Sequence, residues 1–353
     1  MTESDSSPRS VRGGVAIPPE SDNLSVPNLR FSFLDAYRRV EDGGWSREVT
    51  ERELPIATEL AGVDMKLDPG GVRELHWHKQ AEWAYMLSGR AQITAVDADG
   101  EPFVDDVAVG DLWYFPAGIP HSIQGREEGC EFLLVFDDGS FSEDATFLVC
   151  DWLAHTPRSV IAHDLGVAAE ALSSLPDGER YIFQARLPAP APGEGDKRFS
   201  HRLLASEAER FAGGEVRIAD SRNFPASTTV AAALVEVEPG GLRELHWHPN
   251  TDEWQYYLEG EGIMTVFAAE AKARTFEYRA HDVGYVPFAM AHYIANTGEE
   301  PLRFLEMFRS ERFEDVSLRR WLARTPPRLV ADHLNLDERV IEQLSGDKAP
   351  VLP

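Results

Sequence analysis

The chain contains an internal repeat of about 170 residues that is built around its histidines. Residues 70–89 read GGVRELHWHKQAEWAYMLSG, and residues 240–260 read GGLRELHWHPNTDEWQYYLEG. His246 follows His76 by 170 residues, and His292 follows His121 by 171. Solenoid repeats span only about 20–50 residues, so a period this long predicts a duplicated domain.

Short apolar runs of strand length recur in both halves and predict an all-β fold. Residues 91–96 (AQITAV) alternate in polarity before a turn signal, and FLLVF at 132–136 is matched by LRFLEMF at 302–308. Such runs, broken by Gly and Pro, are typical of an antiparallel sandwich or barrel. Helical patterns are confined to the ends of the halves, at 159–172 and 334–344. We expect these short helices to flank the barrels.

The length and the turn-rich segments predict two domains. A chain of 353 residues corresponds to roughly two domains of about 150 residues each. Residues 186–195 read RLPAPAPGEG, which favours extended, solvated chain because proline cannot join a sheet ladder. We predict an N-terminal arm at 1–28, a first domain at 29–185, a linker at 186–198, and a second domain with C-terminal helices at 199–353.

Composition excludes some partners. Thirty-four basic against sixty acidic residues give a net charge of −26, which argues against a nucleic-acid or anionic membrane surface as partner. No apolar run approaches the roughly 20 residues of a membrane-spanning helix, and the polar N-terminus lacks the apolar core of a secretory signal. We therefore expect a cytoplasmic protein. Cys130 and Cys150, too few for a disulfide framework, are expected to be free and buried.

Each half carries a His-x-His pair, a nearby Glu and a third His about 40 residues later. The predicted ligand sets are His76, His78, Glu82 and His121 in the first half, and His246, His248, Glu253 and His292 in the second. On a strand, residues i and i+2 point to the same face, so each pair can grip one ion. A lone His-x-His is usually a partly exposed pair, but its exact duplication together with the Glu favours metal binding. Three imidazoles and one carboxylate leave two places open on a six-coordinate ion such as Mn or Fe.

These clusters, with their flanking glycines, resemble the two motifs of the cupin superfamily. The first motif, G-x5-H-x-H-x3–4-E-x6-G, is matched from Gly70 to Gly89 and again from Gly240 to Gly260. The second, G-x5-P-x-G-x2-H-x3-N, is matched from Gly110 to His121 except that Gly125 replaces the final Asn. Its second copy keeps Pro287, His292 and Asn296, but has His281 and Ala289 where Gly is usual. The resemblance implies two tandem cupin barrels (double-stranded β-helix or jelly-roll), and hence a bicupin.

More closely, the chain resembles the bacterial oxalate decarboxylases, in the stretches RELHWH (73–78), DLWYFP (111–116), FDDGSFSE (136–143) and DVGYVPF (282–288). The resemblance implies one manganese ion in each barrel and conversion of oxalate to formate and carbon dioxide, with dioxygen required but not consumed. It also implies a hexamer of two stacked trimers. Other bicupin functions stay open at this point: an oxalate oxidase producing carbon dioxide and hydrogen peroxide, a non-catalytic metal-binding or storage protein, and a dioxygenase for another small acid.

The two halves differ in one loop. Residues 137–146 form a loop three residues longer than its counterpart, and it carries Ser142, Glu143 and Asp144. On composition alone this is a solvated acidic loop or a lid. The resemblance implies a lid whose glutamate, here Glu143, delivers the proton that ends on formate, whereas Asp144 and Ala145 depart from the family's lid sequence.

Three further charged residues are candidates for the sites. Glu306 stands where Leu134 lies in the first half, so its carboxylate is either on a wet face or aimed into the second cavity. Arg73 and Arg243 precede the first ligand of each site by three residues and are either strand-end charges or substrate-binding groups. The resemblance implies the functional role for all three.

Overall fold

The computed structural model of the protein describes residues 25–191 and 198–353. The predicted N-terminal arm therefore lies mostly, and the predicted linker partly, outside the described residues. Within these ranges antiparallel strands dominate and the helices are short, so the predicted all-β class is confirmed.

The elements follow the repeat along the chain. The strands are β1 (Arg30–Ser32), β2 (Arg38–Glu41), β3 (Gly44–Val49), β4 (Ala61–Leu67), β5 (Gly71–Trp77), β6 (Glu82–Val96), β7 (Pro102–Ala108), β8 (Asp111–Phe115), β9 (His121–Phe136), β10 (Phe147–Leu148), β11 (Ile182–Gln184), β12 (Ser200–Arg202), β13 (Glu209–Phe211), β14 (Gly214–Ala219), β15 (Ala231–Val237), β16 (Leu242–Trp247), β17 (Glu253–Glu259), β18 (Glu261–Phe267), β19 (Ala273–Arg279), β20 (Asp282–Val286), β21 (Ala291–Asn296), β22 (Leu302–Phe308), β23 (Val316–Ser317) and β24 (Val351–Leu352). The helices are α1 (Val149–Ala154), α2 (Arg158–Leu165), α3 (Leu318–Arg324), α4 (Pro327–Leu334) and α5 (Glu338–Ile341). Single 3₁₀ turns occupy Phe33–Asp35, Glu143–Ala145, Ala169–Leu172 and Leu203–Ala205.

The chain divides into two compact units. The first unit comprises residues 35–205 and 221–229, and the second comprises the described residues 25–34, 206–220 and 230–353. These units cross the predicted domain limits in two places, because β1 pairs with β20 in the second unit and β12 pairs with β8 in the first. The predicted limits at residues 29 and 199 therefore do not coincide with the edges of the compact units.

In the first unit, strand pairing brings the predicted ligands together. The main sheet runs in the order β12-β8-β6-β9-β4-β3-β2, and β5 pairs with β9, β10 and β11. His76 on β5 is the cross-strand partner of His121 on β9, and a register shift separates this pair from the Arg73–Ile123 pair. Glu82, the first residue of β6, lies opposite Phe115 and Phe136. Residues 40 positions apart thus reach one end of the barrel.

The second unit repeats this pairing in two sheets. One runs β1-β20-β17-β22-β15-β14-β13, and the other runs β19-β18-β21-β16-β23 with β24 also on β16. His246 again faces His292 across β16 and β21, with the same kind of register shift after Arg243. The duplicated sequence therefore folds into duplicated strand registers at the ligand positions.

Aromatic side chains line the interior near the ligands of the first unit. Strand β7 and the later part of β6 alternate buried and more exposed residues, as the period of two requires, whereas the first five residues of β6 are all buried. The Phe115 ring stacks on His121 with centroids 4.4 Å apart, and Phe136 meets His78 edge-on at 5.1 Å. Phe141 stacks in turn on Phe136. This apolar wall restricts water beside the ligands.

The helices coincide only in part with the predicted segments, because α1 and α3 lie outside both of them. Helix α2 and the 3₁₀ turn after it cover most of 159–172, and Gly166 ends α2 in the left-handed conformation (φ 65°) that glycine tolerates. Helices α4 and α5 overlap the predicted 334–344 segment only in part, because α4 already begins at Pro327. Among the described residues, every helix is too short or too polar to span a bilayer.

The two cysteines behave differently from each other. Both are free, and Cys130 on β9 is buried as predicted. The prediction is wrong for Cys150, which is only partly buried because helix α1 has no fully buried residue. Burial and the neighbouring Glu74 carboxylate raise the pKa of the Cys150 thiol to about 12, so it is a poor nucleophile at neutral pH.

Candidate metal centres and their surroundings

The four predicted ligands of the first half converge inside the first unit. One ligand atom from each of His76, His78, Glu82 and His121 lies within 4.8 Å of all the others, and all four side chains are buried. Glu82 Oε2 is 3.2 Å from His78 Nε2 and 3.3 Å from His121 Nε2. The His-x-His pair comes from the end of β5, the Glu from the start of β6, and the last His from the start of β9.

The second set converges in the same way inside the second unit. His246, His248, Glu253 and His292 place one ligand atom each within 4.8 Å of the others and are likewise buried. Glu253 Oε2 is 3.1 Å from His248 Nε2 and 2.9 Å from His292 Nε2. The sequence prediction of two separate four-residue clusters therefore agrees with the geometry.

Backbone carbonyls orient the imidazoles of both clusters. In the first, the Nδ1 atoms of His76, His78 and His121 lie 2.6–2.7 Å from carbonyl oxygens. In the second, the corresponding distances are 2.7 Å for His246, 2.7 Å for His248 and 3.1 Å for His292. A carbonyl only accepts, so each Nδ1 carries the proton and each Nε2 presents a lone pair to the cluster.

The second cluster also leaves buried polar atoms without hydrogen bonds. His246 Nε2, His248 Nε2, His292 Nε2 and Glu253 Oε2 are all buried, and among the described residues none has a partner in hydrogen-bond geometry, although some of them approach closely. Unsatisfied buried polar atoms are costly, and here they point at a common centre. A divalent cation is the group that satisfies all four at once.

The electrostatics of the first cluster favour the protonation states that bind metals. Burial lowers the pKa of His76 well below its ordinary value, and burial also lowers the pKa of His121. For Glu82, burial alone raises the pKa, but the His121 and His78 imidazoles outweigh it and hold the pKa well below its usual range. Neutral imidazoles beside an ionised carboxylate are the forms that ligate a divalent ion.

The donor set narrows the choice of metal. Three nitrogens and one carboxylate oxygen, without thiolate, suit a six-coordinate first-row ion such as Mn(II) and leave two coordination places for substrate. The residues present therefore fit the predicted manganese ions, one in each barrel.

The predicted lid residue lies beside the predicted substrate arginine. Glu143 begins the 3₁₀ turn Glu143–Ala145 and is buried, unlike the two residues after it. Glu143 Oε2 lies 3.1 Å from Arg73 Nη2 and accepts a 2.6 Å hydrogen bond from Tyr181 Oη. Arg73 is also buried, so the strand-end alternative for this residue does not hold.

The second arginine has fixed carboxylate partners. Arg243 Nε donates to Glu306 Oε1 at 2.9 Å, and its Nη2 lies 3.2 Å from Asp315 Oδ2. Glu306 is fully buried on β22, so of the two locations left open by the sequence it occupies the interior one. Burial raises the pKa of Glu306, although the Arg243 charge opposes this.

The sequence reasoning missed Tyr181. This residue just before β11 has φ 49°, a left-handed conformation that is unusual for a bulky side chain. Its N–H donates to the Glu74 carboxylate at 2.9 Å, and its carbonyl accepts from the Glu74 N–H at 3.0 Å. These bonds fix the backbone and direct the phenol to Glu143. Tyr181 lies outside both repeated motifs, so no spacing signal marked it.

The group that supports the ligand carboxylate differs between the sites. In the first, Trp113 Nε1 donates to Glu82 Oε1 at 2.9 Å. In the second, where Gly284 replaces the tryptophan, Gln255 Nε2 donates to Glu253 Oε1 at 2.7 Å. Gln255 and Gly284 are cross-strand partners, as Ala84 and Trp113 are. The large donor side chain therefore lies on one strand in the first site and on its neighbour in the second, and the ligand carboxylate keeps a hydrogen bond in both.

Comparison with known proteins identifies the family of this fold. The sequence profile of the Cupin family matches residues 31–173 and 203–342, which covers both barrels. The chain belongs to the cupin family. A solved structure has a similar fold: a structure of Bacillus subtilis oxalate decarboxylase, from work assigning its Mn(II) centres, matches with a TM-score of 0.91 and 57% identity over 95% of this chain and 91% of the other.

Curated cupin relatives point in the same direction. Oxalate decarboxylase OxdC of Bacillus subtilis (strain 168) is 57% identical over 346 residues, covering 96% of this chain and 90% of the relative. A probable oxalate decarboxylase of Arthroderma benhamiae is 40% identical over 340 residues, covering 94% and 84%. The predicted family and two-cupin fold are thus confirmed.

Proposed function

We propose that this bicupin decarboxylates oxalate to formate and carbon dioxide, and that the first site carries the reaction. One oxalate dianion and one proton give one formate and one carbon dioxide, so the site must supply a proton. The observation that carries the proposal is the buried Glu143 carboxylate, which reaches Arg73 from a lid turn next to the first ligand cluster. The similarity to oxalate decarboxylases along nearly the whole chain supports the substrate.

His76, His78, Glu82 and His121 would hold the manganese ion in the first barrel, and the second set would hold another. A manganese ion would supply a Lewis acid with redox capacity and open places for oxalate, and dioxygen would be required without being consumed. Arg73 offers a charge-assisted hydrogen bond to a substrate carboxylate and stabilises developing negative charge. Because Arg73 is buried, this bond forms away from bulk water.

Glu143 acts as the general acid: its carboxylate takes up the one proton that the overall reaction consumes before carbon dioxide leaves, and then delivers it. When carbon dioxide leaves, the remaining one-carbon fragment needs a proton at carbon, and a positioned carboxylic acid delivers it faster than solvent does. Tyr181 holds the Glu143 carboxylate through its 2.6 Å hydrogen bond. If the proton is not delivered, the competing outcome is oxidation, in which oxalate, dioxygen and two protons give two carbon dioxide molecules and one hydrogen peroxide.

The second site serves a different role in this proposal. Arg243 already has two carboxylate partners, Glu306 on a central strand and Asp315. An oxalate dianion there competes with a fixed buried carboxylate rather than with a lid residue. We therefore assign metal binding, without the main turnover, to the second site.

Assembly and location follow from the resemblance. We propose a homo-oligomer, specifically a hexamer of two trimers, in the cytoplasm. Exposed aromatic side chains on the helices, Trp152 at 60% and Trp321 at 54% exposure, support burial between subunits. Light scattering of the purified protein tests the mass of the assembly.

The central test combines metal analysis with product analysis. Purified protein is assayed for bound manganese and, with oxalate, for formate and peroxide. We expect formate to dominate. Glu143→Gln should lower the rate of formate production by about 10²- to 10⁴-fold, which is the usual contribution of a general acid, while manganese content stays unchanged.

Glu311→Gln is the matched control, because Glu311 is an exposed acidic residue of the shorter loop in the second half. It should retain the parental rate of formate production. Parental formate production by Glu143→Gln would contradict the role of the lid residue, and peroxide as the main product of the parent would identify an oxalate oxidase.

A further inference from the structure

The hairpin formed by β2 and β3 contacts the lid turn Glu143–Ala145. Arg39 on β2 places Nη1 3.6 Å from Asp144 Oδ1, and Asp144 is one of the two lid residues that depart from the family's lid sequence. Asp144 is 83% exposed, so it depends on this one basic group for a fixed position. Arg39 itself is held by Glu41 at 2.8 Å and Glu179 at 2.9 Å.

The same hairpin reaches Glu143 through Tyr181. The Arg39 guanidinium lies over the Tyr181 ring, 3.6 Å from its centroid, in cation–π geometry. Ser46 on β3 lies with Oγ 2.6 Å from Tyr181 Oη. Because the single phenolic hydrogen goes to Glu143, the Ser46 hydroxyl must donate to the phenol oxygen. This orders the chain of donors as Ser46, Tyr181 and then Glu143.

The second half provides an internal comparison. Arg39 and Ser46 are cross-strand partners, and their counterparts on β13 and β14 are the cross-strand partners Glu209 and Val216. The position of Tyr181 is taken by Pro350, whose carbonyl likewise accepts from a backbone N–H. The second half has the shorter loop, and these matched positions carry the opposite charge, an apolar side chain and no phenol.

We propose that the β2–β3 hairpin is the seat on which the lid closes, and that Arg39 and Ser46 are positioning residues that hold Glu143 beside Arg73. They act on the reaction through Tyr181 and Asp144 and touch neither substrate nor metal. A firmly seated lid favours protonation, and a loosened lid favours oxidation to peroxide. This consequence rests on the proposed function, whereas the seat itself is a property of the fold.

Lid opening is measured without any turnover. The Ala145 N–H donates to the backbone carbonyl of Ser142 at 2.9 Å, and the Thr146 N–H donates to the backbone carbonyl of Glu143 at 3.2 Å. Both amide hydrogens therefore report on the closed turn. Hydrogen exchange followed by mass spectrometry on a peptide covering residues 137–148 reads their protection. The product ratio of formate to peroxide is measured on the same manganese-loaded preparations.

We expect Arg39→Gln and Ser46→Ala each to speed exchange in this peptide by about two- to fivefold, as for the loss of a partly exposed ion pair or a hydrogen bond. The formate-to-peroxide ratio should fall by a similar factor. Arg38→Gln is the matched control, because it removes the same charge from the exposed face of the same strand and should leave both readings at parental values.

Asp144→Asn tests the same contact in a variant that should fold normally. Asp144 is exposed, and the substitution removes only its ion pair with Arg39. It should speed lid exchange, but by less than Arg39→Gln, because the contact of Arg39 with the Tyr181 ring remains. The double variant Arg39→Gln/Asp144→Asn should exceed Arg39→Gln by little, because Arg39→Gln alone already breaks the ion pair. If Asp144→Asn and Ser46→Ala both exchange hydrogen in this peptide at the parental rate, the proposal that the hairpin holds the lid is wrong. Faster exchange with an unchanged product ratio overturns its link to selectivity. A parent protein that makes neither product refutes the proposed function, while lid exchange still decides the seat.

Discussion

Asp64 gives the first unit a stability that should fall as the pH rises. It lies on β4 with 1% of its surface exposed, and its Oδ1 has no hydrogen-bond partner among the described residues. Burial and the nearby Glu131 carboxylate raise the pKa of Asp64 to about 7, against the weaker influence of Arg47 and Lys66. The folded protein therefore prefers the neutral carboxyl, whereas the unfolded chain ionises at a pKa of about 4.

The sign and size of the effect follow from proton linkage. Between these two pKa values the folded state binds the extra proton, so the free energy of unfolding decreases as the pH rises and levels off above about pH 7. Each unit of pKa difference corresponds to about 1.4 kcal/mol. Going from pH 5 to pH 8 crosses about two such units, which amounts to about 3 kcal/mol.

Asp64→Asn removes the titration while keeping the shape of the side chain. We expect its advantage in unfolding free energy over the parent to be about 3 kcal/mol greater at pH 8 than at pH 5. For a unit of this size that difference corresponds to about 6–12 °C in the midpoint of thermal unfolding. Scanning calorimetry at the two pH values measures it directly.

Asp68→Asn is the control, because Asp68 follows the same strand in an exposed position. Its difference from the parent should be small and equal at both pH values. If Asp64→Asn also differs from the parent by the same amount at pH 5 and pH 8, the assignment of a neutral buried carboxyl is refuted.

Two further pairs of substitutions test which site turns over oxalate and how the lid is held. His121→Ala should lower formate production by at least about a hundredfold with loss of one manganese per chain, whereas His292→Ala should lose one manganese with formate production reduced only a few-fold. Equal losses from both variants would show that both sites turn over. Tyr181→Phe removes a hydrogen bond to a carboxylate, worth about 1.5–3 kcal/mol, and should shift the lid equilibrium by about 10- to 100-fold towards the open form and raise the peroxide share. Tyr114→Phe, which removes a buried phenol bonded to Thr229, should leave the product ratio unchanged.

The repeat made the metal ligands predictable. Spacing that matches to within one residue in both halves placed all eight ligand residues before any coordinates, because a strand pair and a fixed register bring the same positions together twice. The difference between the halves likewise pointed to Glu143 and Glu306. Their actual contacts needed the fold, since nothing in the sequence relates Glu143 to Tyr181, which lies 38 residues away.

Sequence reasoning did not predict which compact unit two short strands, β1 and β12, belong to. β1 and β12 are three-residue strands of ordinary composition, and their partners are chosen by the edges that the barrels leave open. Such short segments carry almost no pattern of their own, so composition predicts a proline-rich linker but not the strand pairings that set the edges of the compact units.

The ligand carboxylate is held by a tryptophan in the first barrel and by a glutamine in the second, and this difference hinders recombination between the two duplicated halves. A β-carbon added to Gly284 would lie 2.5 Å from the Gln255 side-chain oxygen, so a tryptophan cannot enter the second barrel while that glutamine is present. Conversely, losing Trp113 alone strips Glu82 of its donor and empties a large volume. Gene conversion between the two copies must therefore replace both residues of the cross-strand pair in one event, or pass through a protein with a damaged metal site. The two barrels can thus keep separate evolutionary histories within one gene.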